Sequence, residues 1–198
     1  MSLFSRLAYS SKEGINPPQI VLRHKGSNKR MQNHLPNCQK TSSGSALTFP
    51  PNDAAMIKEA QSDDNFSDKN TLTVRYGVGT RVDALLKFVF KCSFAGASRA
   101  VLRLYCDEGS TEGGLIVSVS GDWGKEAVTW NTAPTFPTGF AEEIGRVRKG
   151  KWYEIDVTSA LSLFENNELT FRIEGLNENV ASYGSKDDLF APMLEVFF

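Results

Sequence analysis

From Asp53 to the end, apolar residues in this chain come in short runs that alternate with polar ones and stop at Gly, Asn, Asp or Pro. Period-two alternation puts successive side chains on opposite faces of an extended backbone, and this punctuation is that of short antiparallel strands. The predicted strands are 54–59, 72–76, 83–90, 99–106, 115–120, 127–130, 152–156, 168–174, 181–185 and 193–197. Strands in this number and spacing predict an all-β fold, a two-sheet antiparallel β-sandwich of the jelly-roll type. Alternation assigns Leu72, Val74 and Tyr76, Leu86, Phe88 and Phe90, Leu102 and Leu104, Leu115, Val117 and Val119, Phe171 and Ile173, and Leu194 and Val196 to the core. A short helical turn is expected over 160–163, capped by Thr158 or Ser159.

The 198 residues suffice for one domain with a substantial core, but the charge is uneven. Residues 1–52 hold seven Lys/Arg against Glu13 alone, whereas residues 53–198 hold fifteen against twenty-two Asp/Glu. The first segment has no sustained period and reads as a flexible basic tail or linker, leaving 53–198 as the domain. Its start is too short and too interrupted by Arg6 for a secretory signal, and no window reaches the roughly 18 apolar residues of a membrane-spanning helix. Both histidines, His24 and His34, fall in the tail, so Ser-His, Cys-His and His-metal chemistry are excluded from the domain. The carboxylates a glycosidase needs are plentiful but show no diagnostic spacing. Of Cys38, Cys92 and Cys106, the last two stand near the ends of consecutive predicted strands; they are expected as free thiols, with a mutual bridge as the alternative.

The segment from Trp123 to Pro134 holds two tryptophans, the β-favouring pair Val128-Thr129 and a terminating proline. It reads as a strand ending in an aromatic corner. Asp53-Ala-Ala-Met56, Leu85-Leu-Lys-Phe88, Ala100-Val-Leu-Arg-Leu-Tyr105, Trp152-Tyr-Glu-Ile-Asp-Val-Thr158, Leu169-Thr-Phe-Arg-Ile173, Ala181-Ser-Tyr-Gly-Ser-Lys186 and Ala191-Pro-Met-Leu-Glu-Val196 accompany it in order. The ordered set resembles carbohydrate-binding module family 96, the DNRLRE domain, over about residues 53–198. The resemblance implies a β-sandwich that binds polysaccharide without cutting it, outside the cell or at its surface, appended to or associated with larger surface or carbohydrate-active proteins. The chain departs from the family pattern at Phe190 and Met193.

Arg75, Lys87, Arg103 and Arg172 occupy alternate positions opposite the predicted core on four strands. If these strands share a sheet, the cations form a basic strip suited to the carboxylates of an acidic, uronic-acid-containing polysaccharide, a ligand that the resemblance to alginate-binding members also implies. Surface strands also carry long charged side chains simply to cover apolar neighbours and guard edges. Tyr105, Trp123, Tyr183 and Trp152 are candidates to stack on sugar rings, with Lys186 beside Tyr183; of the tryptophans, Trp130 and Trp152 follow strand signatures and are expected in the core. Asp63 and Asp64, with Asp187 and Asp188, are candidate oxygen ligands for a structural Ca²⁺, although the spacing is not that of an EF-hand. The expected function is non-catalytic binding of an acidic polysaccharide, with no nucleic acid partner and no membrane span. The alternatives are a structural or adhesive cell-surface sandwich that mediates protein contacts and, behind it, a polysaccharide lyase or hydrolase.

Overall fold

The computed structural model describes residues 46–163 and 167–198, all of which belong to one compact unit. It contains eleven strands: β1 (Leu47–Phe49), β2 (Asp53–Lys58), β3 (Thr71–Val74), β4 (Val82–Val89), β5 (Arg99–Glu108), β6 (Leu115–Ser120), β7 (Phe136–Glu143), β8 (Lys151–Asp156), β9 (Glu168–Glu174), β10 (Ala181–Gly184) and β11 (Met193–Phe197). Two 3₁₀ turns, Glu59–Gln61 and Thr158–Ser162, complete it. All pairings are antiparallel, and the strands form a β-sandwich of two sheets. The six-stranded sheet is centred on β5, the longest strand: β8 pairs along one edge, and β11 and then β10 follow each other along the other. β1 and β3 flank β11 and β10. The five-stranded sheet runs β2-β4-β9-β6-β7.

Alternation fills the space between the sheets. Ala84, Leu86 and Phe88 of β4 and Phe171 and Ile173 of β9 meet Leu102 and Leu104 of β5 and Leu194 and Val196 of β11, all essentially inaccessible. Edge-to-face ring pairs, Phe88 with Phe171 at 6.2 Å and Phe140 with Phe171 at 6.0 Å, order the centre. Tyr183 crosses the interior and its phenol donates to the Gly113 carbonyl at 2.6 Å; a side chain at position 113 would collide with that oxygen. Burial raises the Tyr183 phenol far above its ordinary range.

Several expectations are corrected. Leu47–Phe49, assigned to the tail, is strand β1, whose register against β11 pairs Leu47 with Val196 and Phe49 with Leu194. The remainder of the expected tail up to residue 45 lies outside the described residues. In β6 the faces are exchanged: Ile116 and Ser118 are wholly buried, while Leu115 and Val117 lie on the other side. The Ser118 hydroxyl, hydrogen-bonded to Thr138 and to the Phe140 amide, makes an inward serine tolerable. Tyr76 is 45% exposed because β3 ends at Val74. β7 escaped prediction because Pro137 and Gly139 interrupt it, and it is an edge strand, where proline is admitted. Cys92 is disulfide-bonded and Cys106 is a free buried thiol, so the two do not pair with each other.

The largest correction concerns residues 127–130. They form no strand but part of a loop that crosses the outer face of the five-stranded sheet. Its backbone groups are satisfied by turn hydrogen bonds and side chains rather than by a ladder: the Ala127 and Val128 amides donate to the Gly124 carbonyl, Asn65 donates to the carbonyls of Lys125 and Val128, both at 2.7 Å, and Thr132 accepts the Thr129 amide. Trp123, Val128 and Ala133 pack on Ala55, Ile57 and Leu85, with Trp130 against them. Beneath lies Asp83, completely buried, accepting from Arg172 Nε and Nη2 at 2.9 and 2.6 Å, from Arg81 Nε at 2.9 Å and from the Gly175 amide at 3.1 Å. Glu174 shares both arginines. The Arg172 guanidinium stands 5.2 Å from the Trp130 ring centroid, so the loop roofs an ion cluster as well as an apolar patch.

Removing one member of such a cluster strands a buried charge. Asp83→Ala is expected to lower unfolding free energy by about 3–5 kcal/mol in urea titrations, whereas Asp83→Leu combined with Arg172→Met costs much less.

Candidate functional site

The four cations of the expected strip are divided between opposite sheets, so they do not line up. Lys87 on β4 and Arg172 on β9 belong to the five-stranded sheet, each only 7% exposed. The Lys87 ammonium donates to the Trp123 carbonyl, lies 3.5 Å from Asp53 and sits 5.1 Å from the Trp123 ring centroid. Both cations are enclosed by the overlying loop, which also buries Trp123, its indole donating to Thr170 at 3.1 Å. Arg103 on β5 is in the six-stranded sheet, and Arg75 lies beyond it, at the margin where β3 ends. Tyr183 is wholly interior. Trp123 and Tyr183 are both buried, so neither the turn before Trp123 nor the neighbouring Lys186 was a guide to exposure.

Tyr105 does face outward, and the register of β5 on β8 sets it directly opposite Trp152. Their rings meet edge to face at 5.4 Å. Phe190, from the connection between β10 and β11, stacks on Tyr105 at 4.2 Å with planes 21° apart and approaches Trp152 at 6.3 Å. Tyr105 and Trp152 are half-buried and Phe190 is exposed, which leaves apolar ring surface open on an otherwise polar face. The Arg103 guanidinium lies 5.0 Å from the Trp152 centroid and is held by Glu195 at 3.0 Å and Glu154 at 3.5 Å. Two carboxylates neutralise it, so its contribution is to orient the indole.

A denser run of positive charge borders Tyr105. Between β7 and β8 the chain runs Arg146-Val-Arg-Lys-Gly-Lys151, and all four cations are exposed. Among the described residues none of them has a carboxylate within ion-pair distance. The segment is docked on β5 by the Val147 bridge to Ser110 and by the Gly150 amide donating to Cys106. Gly150 lies beside the Tyr105 hydroxyl: a Cβ there would be 3.8 Å from it. The signal was present in the sequence as the densest basic run of the domain, but it falls between strands and outside any alternation.

The acidic candidates also separate. The Asp63 carboxylate accepts from Asn131 at 2.8 Å and Asp64 from Gln61 at 3.3 Å, both near the loop on the five-stranded sheet. Asp187 pairs with Lys186 at 3.2 Å, and Asp188 accepts from the Phe190 amide at 3.4 Å, both in the connection that carries Phe190. Lys186 is thus engaged within its own loop. No group of three or more His, Cys, Asp or Glu arranged to hold a metal occurs among the described residues. Asp188 instead confronts Asp107 on β5, whose Oδ2 is buried without a hydrogen-bond partner. Burial first, then the Asp188 charge, raise the Asp107 carboxyl above its usual range, with Lys149 opposing. Burial, then Asp107, similarly push the Cys106 thiol up to about 11, which keeps it protonated and unreactive at neutral pH.

A cleft of about 510 Å³ opens elsewhere, lined by Ser120, Asp122, Thr138, Glu168 and their neighbours; it carries two carboxylates and no cation. Large exposed apolar residues, including Val78, Phe136, Leu176 and Leu189, are distributed over separate elements. No described helix is long and apolar enough to cross a membrane.

A carboxyl whose folded-state affinity for protons is raised opposes folding above its folded pKa and ceases to do so once protonated. Asp107→Asn is therefore expected to raise the melting midpoint at pH 7, with the gain shrinking as pH falls through the carboxylate range; calorimetry across pH 3.5–7.5 checks the direction.

No curated protein is matched by the chain. The profile of carbohydrate-binding module family 96 matches residues 45–197, which takes in the whole sandwich from just before β1 to the end of β11. With that match over more than half its length, the chain belongs to carbohydrate-binding module family 96.

Proposed function

We propose that this module retains an acidic, uronic-acid-containing polysaccharide on the outer face of its six-stranded sheet. The observation that carries this reading is the open aromatic cluster of Tyr105, Trp152 and Phe190 with Gly150 of the basic segment 146–151 beside the Tyr105 hydroxyl, a segment whose cations have no ion-pair partner among the described residues. Ring faces hold the C–H surfaces of a pyranose, while guanidinium and ammonium groups meet its carboxylates in charge-assisted hydrogen bonds. Family membership supplies the polysaccharide; the loop supplies the preference for an anionic one. Retention is the whole activity, and no sugar bond is broken. The module works outside the cell or at its surface, joined to or associated with larger carbohydrate-active or surface proteins.

A structural calcium is a separate proposal. It is supported by the orphaned Asp107 oxygen facing Asp188, with Asp187 adjacent in the loop. A melting midpoint higher in calcium than in EDTA is the expected outcome, and equal midpoints remove the ion.

Affinity electrophoresis of the full chain through gels containing alginate or a neutral β-glucan tests the ligand class. Retardation is expected in alginate alone. Tyr105→Ala and Trp152→Ala should each weaken it about tenfold. Arg146→Gln with Arg148→Gln should reduce both retention and its sensitivity to salt. Arg172→Ala, in a buried cluster on the other sheet, should lower stability without changing retention by the folded fraction. Equal retardation in the two gels would reject the acidic ligand.

A further inference from the structure

We infer that a second site, a cleft at the end of the sandwich between β2 and the β3–β4 turn, binds an oxyanion, the carboxylate or sulfate of a single sugar unit. The anion chemistry stands on the cleft alone; that a sugar carries the anion rests on the function proposed above. The cleft measures about 290 Å³ and is lined by Lys58, Gln61, Thr73, Arg75, Thr80 and Arg81 over a floor of Met56, Val82 and Val180. Among the described residues no carboxylate lines it.

Register explains why the cations converge. Val82 of β4 pairs with Lys58 of β2 on one side and through an isolated bridge with Arg75, just past β3, on the other, so the two cationic residues flank one small apolar residue. Two strand spacings separate their backbones by about 10 Å, a span that two long side chains close over one bound group. The Arg75 backbone is fixed by reciprocal 3.0 Å hydrogen bonds with Val82. Gly175 packs so closely on it that no side chain would fit there.

Neither cation is neutralised among the described residues. Of the nearby carboxylates, Asp83 and Glu174 are taken by Arg81 and Arg172, and Glu59 accepts from the Arg81 amide at 3.2 Å. Arg75 spends one donor on the Thr80 carbonyl at 3.4 Å, and the guanidinium retains four more. The Lys58 ammonium stands 4.0 Å from the Phe66 centroid, a contact that orients it and leaves its charge unpaired. An apolar floor beneath two uncommitted cations suits a sugar ring that bears an acid group.

Amide NMR titrations of the full chain with sodium glucuronate, sodium sulfate and glucose, at constant ionic strength, test the inference. Saturable shifts are expected at Lys58, Thr73, Arg75, Thr80 and Val82 with both anions and not with glucose. Lys58→Gln with Arg75→Gln should weaken the response roughly tenfold, and Arg75→Lys should restore part of it. Lys91→Gln, which removes an exposed charge outside the cleft, should leave it unchanged. Tyr105→Ala should also leave it unchanged while reducing polysaccharide retention, so each site can fail alone. Absence of saturable shifts with both anions, or an equal loss from Lys91→Gln, overturns the site. A response to sulfate without one to glucuronate overturns the uronate as its carrier.

Discussion

The ion cluster of Asp83, Arg172, Arg81 and Glu174 governs which side of this sandwich meets solvent. Charges on a strand face are ordinarily left to water. Here Asp83 is fully buried, and such burial is tolerable only because four donors converge on its carboxylate. The loop with Trp123 and Trp130 completes the enclosure, and Lys87 ties its backbone down from below. Once that loop is docked, the outer face of β2, β4 and β9 beneath it is closed to solvent.

The architecture was legible because alternation is a local property: Leu86 and Phe88, Phe171 and Ile173, and Leu194 and Val196 face the core as their pattern requires. What failed depended on facts outside the pattern. Val128 and Thr129 have strand-forming side chains, yet Asn65, sixty-three residues before Val128, takes the carbonyl that a ladder would have used. Ser118 faces inward because Thr138 awaits its hydroxyl, which exchanged the apparent faces of β6. β7 carries a proline that only an edge position forgives.

The site was harder to see for the same reason. Arginine at an outward strand position means different things at different carboxylate counts. Arg172 is consumed by a buried aspartate, Arg103 is held between two glutamates, and Arg75 keeps most of its donors. A sequence records the residue without recording what neutralises it. Tyr105 was recognisable as an outward aromatic, but Phe190 joins it only through the path of the β10–β11 connection.

A sandwich of this size has two broad surfaces, and this molecule has spent one of them on itself. The roof over β4 and β9 makes the particle directional: in the proposed function a polymer strand meets the six-stranded sheet, and the roofed strands on the reverse are closed to it. Bridging two strands through the six-stranded sheet would then call for two copies joined in tandem, with any gain in avidity set by the spacing and flexibility of the tether between them.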